Sequence, residues 1–182
     1  MANLPQIIGD IPVHSMRKFF VQVKELHSNI IKRKEITENL ESLKNDFNTE
    51  SSAQANQVLE MLCNLKYTKT LVLMNNYFTT IEIDLVNERI VFVRKDKNVT
   101  ENFKLSDCIE ETQDIINDYG NYSQEKWEYH RNFFEYYSIY ASNLLFIRGV
   151  ICEFVKETKF IENRLNIYKN IVWSEQLKQM QK

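Results

Sequence analysis

Glycine and proline are scarce in this chain, with three glycines (9, 120 and 149) and two prolines (5 and 12) among 182 residues. Glycine supplies left-handed backbone, and proline breaks helices and removes an amide donor. A sequence this poor in both lacks the punctuation of loop-rich and all-β folds, so long helices are the natural expectation after Pro12. The scarcity also excludes chemistry. A phosphate-cradling loop needs several glycines within a few residues, so P-loop and dinucleotide-binding fingerprints are absent, and no GxSxG nucleophile elbow occurs.

Cysteine and histidine are equally sparse. Cys63, Cys108 and Cys152 are widely separated and odd in number, which fits reduced, mostly buried thiols better than a disulfide framework or a zinc site. His14, His27 and His130 form no HExxH and no i, i+4 pair. We therefore expect neither a metal nor another cofactor. Basic excess is lacking too: the formal net charge is -2, which disfavours a phosphate-backbone partner such as nucleic acid. Residues Met1–Asp10 show no basic segment followed by an apolar one, so no secretory signal is expected and a cytoplasmic location is. No run approaches the roughly 18 apolar residues of a membrane span; the nearest, Asn143 to Val155, is interrupted by Arg148, Gly149 and Glu153.

What is present is a hydrophobic fraction of 43% with 12% aromatic residues, enough for a proper core. At this length, folding should bury roughly 70% of the surface of the unfolded chain. Phe19, Val23, Leu26 and Ile30 recur at helical steps, and Ile36, Leu40, Leu43 and Phe47 resume the stripe beyond Lys32-Arg33-Lys34-Glu35. Either one long helix carries a drifting stripe or two helices meet near Lys34. The stepping resembles a coiled-coil seam interrupted at Arg33 and Thr37, and packing against the C-terminal helix is the default. A shorter helix through Val58, Leu59, Leu62 and Leu65 follows Ser51 or Ser52.

Between Thr70 and Arg94 the period changes from 3.6 to 2. Leu71–Met74, then Thr79–Leu85 with Ile81, Ile83 and Leu85 on one face, then Ile90–Arg94 read as a three-stranded antiparallel meander. A short extended piece at Val99–Phe103 comes after it. The remainder reads as helix: one carrying Ile109, Ile115, Ile116 and Tyr119 and ending at Gly120, one from Ser123 through Trp127 to Leu145, and a stripe onward to Leu177. Gly149 marks a break or an internal glycine. The fold class is α+β, a helix-dominated single domain over residues 1–182: an extended segment 1–12, helices in 14–66, the meander in 70–94 and helices in 105–178.

The charge is uneven. Residues 101–140 hold nine Asp and Glu against Lys104, Lys126 and Arg131. Glu110, Asp114 and Asp118 fall at helical steps along one face, which reads as a solvated acidic face rather than a hard-cation site. The same segment concentrates aromatics, with Tyr129, Tyr136 and Tyr140 on one side of a helix and Trp127, Phe134 and Tyr137 on the next. One of these faces is expected in the core and the other half exposed; the alternative is a broad core helix whose tyrosine hydroxyls reach water. Tyrosine and tryptophan give large contact area at small entropic cost, and acidic surroundings steer a basic protein toward them.

The leading functional expectation is a protein-protein interaction module that binds or occludes a partner, acting as an inhibitor, an immunity or antitoxin protein, or an assembly adaptor. Its contact residues are expected to be Tyr122, Trp127, Glu128, Tyr129, Arg131, Glu135, Tyr136 and Tyr140, facing a basic protein. Two alternatives stand beside it: a small enzyme with a dispersed acid-base site around His130, Glu128 and Glu111, and a homo-oligomeric subunit joined through the N-terminal helix.

Overall fold

A computed structural model describes residues 13–45, 57, 60–62, 69–117, 125 and 131–181. In chain order the elements are α1 (Val13–Asn45), β1 (Thr70–Asn75), β2 (Thr79–Asp84), β3 (Arg89–Arg94), β4 (Val99–Lys104), α2 (Leu105–Asn117), α3 (Arg131–Ala141) and α4 (Leu144–Met180). The chain divides into two compact units. The first comprises residues 1–28 and 68–152, the second 29–67 and 153–182, so α1 and α4 each contribute to both. The class is α+β, as expected.

In the first unit the four strands form one antiparallel sheet in the order β1-β2-β3-β4. The meander thus has one strand more than the period-2 pattern indicates. The extra strand, β4, is the extended piece after the Lys95–Asn98 turn; its sequence, Val-Thr-Glu-Asn-Phe-Lys, alternates without a continuous apolar face, and its inner positions are only partly buried. Register explains its place: Ile90 pairs with Phe103 and Phe92 with Glu101, while Ile81 pairs with Phe92 and Ile83 with Ile90. Ile81, Ile83, Ile90 and Phe92 are all buried, which makes this the core face.

With glycine so rare, polar side chains shape the turns. Asp84 Oδ1 accepts the amides of Val86 and Asn87 at 3.0 Å each, and Asn76 Oδ1 accepts those of Phe78 at 2.9 Å and Thr79 at 2.8 Å. Both are Asx turns. Among the described residues, the left-handed positions fall on Glu88 (φ 56°) and Asn98 (φ 51°), places where many proteins use glycine. His27 Nε2 lies 3.3 Å from a Glu88 carboxylate oxygen and ties α1 to the β2–β3 turn.

Helices α2 and α3 contribute to covering the core face. The buried side of α2 is Leu105, Cys108, Thr112 and Ile115, so the stripe is offset from the one read through Ile109 and Ile116, which are only partly buried. Thr112 is accommodated because its hydroxyl donates to the Cys108 carbonyl at 2.6 Å. In α3, Phe133, Phe134, Tyr136, Tyr137 and Tyr140 are all buried, and the exposed positions among its described side chains are Arg131, Glu135 and Ser138. Tyr136 packs against Phe92 and Phe103 of the sheet, with ring centroids at 5.1 and 5.6 Å. Phe133, Tyr137 and Tyr140 surround Phe19 of α1 at 6.0, 5.2 and 4.6 Å, edge to face. Rings of α3 therefore pack on both the sheet and α1.

Helix α3 stops at Ala141, where no glycine or proline stands. Ser142 donates its hydroxyl to the Ser138 carbonyl, and the Asn143 side chain donates to the Ile139 carbonyl. Such local bonds compete with helix continuation. Gly149, in contrast, sits inside α4, and a Cβ there would meet nothing within 4 Å.

In the second unit, α1 is continuous through Lys34. The heptad-like positions Phe154, Thr158, Ile161, Leu165 and Tyr168 of α4 are all buried. Ile36, Leu62, Ile161, Leu165 and Tyr168 form one cluster, with Ile171 and Val172 at its margin. Where the apolar seam of α1 is interrupted, Arg33 reaches α4: its Nε donates to Thr158 Oγ1 at 2.7 Å, another guanidinium nitrogen donates to the Phe154 carbonyl at 3.0 Å, and the guanidinium carbon stands 3.7 Å from the Phe154 ring centroid. Thr37 donates its hydroxyl to the Arg33 carbonyl at 2.8 Å. The break in the seam is a polar layer, and such layers fix the register of paired helices.

Candidate functional site

Only part of the expected contact surface lies among the described residues. Tyr122, Trp127, Glu128 and Tyr129 lie outside them, as does His130 of the acid-base alternative, so the convergence of His130, Glu128 and Glu111 is not described. Arg131 and Glu135 are exposed, and Glu135 receives Arg94 at 2.7 Å, closing one end of the sheet–α3 layer. Tyr136 and Tyr140 are core residues, 6% and 0% exposed, so their rings are not available to a partner. The physical reason is that the described rings of α3 are covered from two directions, Tyr136 by Phe92 and Phe103 of the sheet and Phe133, Tyr137 and Tyr140 by Phe19. The half-exposed second face therefore gives way, for the described rings, to a helix buried on two sides.

The hydroxyls in this layer differ in partners. Tyr140 donates to Gln22 Oε1 at 2.8 Å, whereas the Tyr137 hydroxyl is buried with no hydrogen-bond partner among the described residues. Burial pushes both hydroxyls above the ordinary tyrosine range, and for Tyr140 the neighbouring Tyr137 and Cys108 add to it. The Cys108 thiol is pushed up to about 12 by burial, then by Glu111 and Asp107. Buried, with its protonated form favoured, it packs in the core.

The acidic face, by comparison, is on the surface as the spacing predicts. Asp107, Glu110 and Asp114 are exposed on α2, and Glu111 is half-buried, its carboxyl pKa raised by burial and then by Asp107. Asp118 lies outside the described residues. Beside this face runs an open groove lined by Phe20 of α1 and by Ile109, Glu110, Gln113, Asp114 and Asn117 of α2. Phe20 and Ile109 are partly buried and give it an apolar floor; the four polar residues are exposed. Gln113 donates to Asn117 Oδ1 at 2.8 Å, and the Lys24 ammonium stands 5.5 Å from the Phe20 ring centroid. Sequence reasoning reached the acidic row but not the floor, because Phe20 comes from a distant segment. Its place next to Phe19, just off the buried stripe of α1, is the signal that it borders a surface.

Among the described residues, no three His, Cys, Asp or Glu side chains converge as metal ligands would, and no single helix is long and apolar enough to cross a membrane. Comparison with protein-family models, curated proteins and solved structures finds no match.

Proposed function

We propose that the chain is a protein-binding module whose groove between α1 and α2 takes a basic, partly apolar element of a partner protein. The observation that carries this reading is the pairing of an apolar floor, Phe20 and Ile109, with an acidic wall, Glu110 and Asp114, in one open groove. An apolar floor gives affinity through area removed from water. An acidic wall steers a cationic partner and selects against anionic ones. Four carboxylates within residues 107–114 make α2 a strong source of negative potential. The expected acidic and aromatic recognition is thereby assigned to α2 and Phe20 rather than to the α3 tyrosines. Inhibition, immunity or scaffolding are ways in which such a module acts, by covering a surface of its partner.

The test is selection from a pool of short random peptides on the immobilised protein. The expected result is enrichment of sequences combining Lys or Arg with Phe, Tyr or Leu, and loss of that enrichment in the double variant Glu110→Lys, Asp114→Lys. Enrichment of acidic peptides, or identical selection by the variant, would overturn the reading.

A further inference from the structure

The first unit also carries a surface that complements the groove. At the β1–β2 turn, Tyr77 and Phe78 are 86% and 59% exposed, adjacent large aromatics held outside the core. They are held firmly. Asn76 Oδ1 takes the amides of Phe78 and Thr79, the Lys95 amide donates to the Phe78 carbonyl at 2.8 Å, and the two rings meet edge to face at 5.0 Å. A turn whose backbone is already set by hydrogen bonds loses less entropy on binding than a flexible loop would. The neighbouring turn supplies cations. Lys95 Nζ donates to Asn75 Oδ1 at 2.7 Å and to the Asn76 carbonyl at 2.9 Å, which fixes an ammonium on the residues that precede Tyr77 and Phe78. Lys97 is exposed in the same turn, with Asp96 as the acid between them. Arg94 is engaged with Glu135.

The tip is thus convex, aromatic and basic; the groove is concave, apolar-floored and acidic. Neither Tyr77 nor Phe78 lines the groove of its own chain. We infer that the occupant of the groove is the Tyr77-Phe78 tip of a second copy of this chain, its rings on Phe20 and Ile109 and its Lys95 and Lys97 ammoniums toward Glu110 and Asp114. This rests on the groove reading above and names the partner. The two surfaces differ, so the contact is head-to-tail and a pair leaves one tip on one copy and one groove on the other unused, allowing rings or open chains. A contact of this size is weak and salt-sensitive, because part of its attraction comes from exposed charges.

Sedimentation equilibrium on the full chain tests it with three proteins: wild type, a tip variant (Tyr77→Ser, Phe78→Ser) and a groove variant (Glu110→Lys, Asp114→Lys). All six positions involved in recognition beyond the floor, Tyr77, Phe78, Lys95, Lys97, Glu110 and Asp114, are exposed, and thermal melts check that each variant folds; Lys97→Glu serves as a second, milder tip variant. The wild-type average mass is expected to rise with concentration and to fall back in high salt. Each variant alone should weaken association at least about tenfold. Mixing tip and groove variants should restore association but stop at a pair, since one intact groove then meets one intact tip. A wild type that stays monomeric, a tip variant that assembles like wild type, or a mixture that does not pair would each overturn the inference, and so would binding of the tip to anionic vesicles in place of self-association. The peptide selection separates the two readings: a monomeric wild type that still selects basic peptides overturns self-association alone, and failure of both removes the groove as well.

Discussion

Tyr137 and Tyr140 lie three residues apart on α3, both against Phe19 and both essentially inaccessible, so removing either hydroxyl is the same chemical edit in two different environments. Tyr140→Phe deletes the 2.8 Å bond to Gln22 and leaves Gln22 Oε1, itself 9% exposed as a residue, without that donor. A lost hydrogen bond with a buried acceptor left behind costs about 1–3 kcal/mol. Tyr137→Phe removes a buried hydroxyl that has no partner among the described residues, and relieving such a group is expected to stabilise by about 1 kcal/mol. For a chain of this size, 1 kcal/mol moves the melting temperature by roughly 2–4 °C. The two variants should therefore move it in opposite directions. Alkaline titration adds a second readout. Both tyrosine pKa values are raised on folding, so the folded state holds these protons more tightly; stability is then flat below the ordinary tyrosine pKa of about 10 and falls as pH rises above it. Each Phe variant should flatten that fall. Thermal melts at neutral and alkaline pH decide the matter, and a Tyr137→Phe variant as destabilised as Tyr140→Phe would refute the account of this layer.

Other perturbations follow from the same contacts. Arg33→Ala should cost about 2–3 kcal/mol in urea unfolding, because it removes charge-assisted bonds to Thr158 and Phe154 and a cation–π contact; Glu157→Ala, whose carboxylate is 57% exposed at 3.5 Å from Arg33, should cost less than about 1 kcal/mol. In a Cys63→Ser background, a thiol reagent at mildly alkaline pH should label the exposed Cys152 quickly and the buried Cys108 only on unfolding; equal rates would contradict the burial of α2. The Glu111 carboxyl is raised on folding, so its charged form opposes folding above its folded pKa, and this penalty disappears as pH falls below the ordinary value. Glu111→Gln should accordingly raise the melting temperature at neutral pH and leave it unchanged near pH 4.

Much of the fold was legible in the sequence because periodicity survives where one side of an element faces one neighbour. Ile81, Ile83 and Leu85 alternate and are buried; Phe19, Val23, Leu26 and Ile30 step helically and are buried. Three features escaped. Strand β4, legible as an extended piece, escaped as a member of the sheet: it is held by pairing with β3 at an edge, so it needs few apolar residues and shows no continuous apolar face. The break after Ala141 arises from Ser142 and Asn143 bonding back to the preceding turn, a polar event inside an apolar stripe. The fate of the α3 tyrosines was ambiguous because sequence reveals how wide an apolar face is but not how many neighbours cover it. The candidate site was half legible for a similar reason. Glu110 and Asp114 are neighbours on one helix, whereas the floor under them depends on Phe20 from a segment far away in the chain.

The central claim, that the groove between α1 and α2 is where a partner sits, is tested most directly by placing a photo-crosslinking residue at Gln113 in the groove and, as a control, at Lys104 on the exposed edge of the sheet. Irradiation in the native cell, followed by mass spectrometry of the adducts, is expected to give one dominant product at Gln113, joined to a basic segment of a protein, and to lose it when Glu110→Lys and Asp114→Lys are added. Equal adducts at both positions, or a Gln113 product unaffected by the charge reversal, would contradict it.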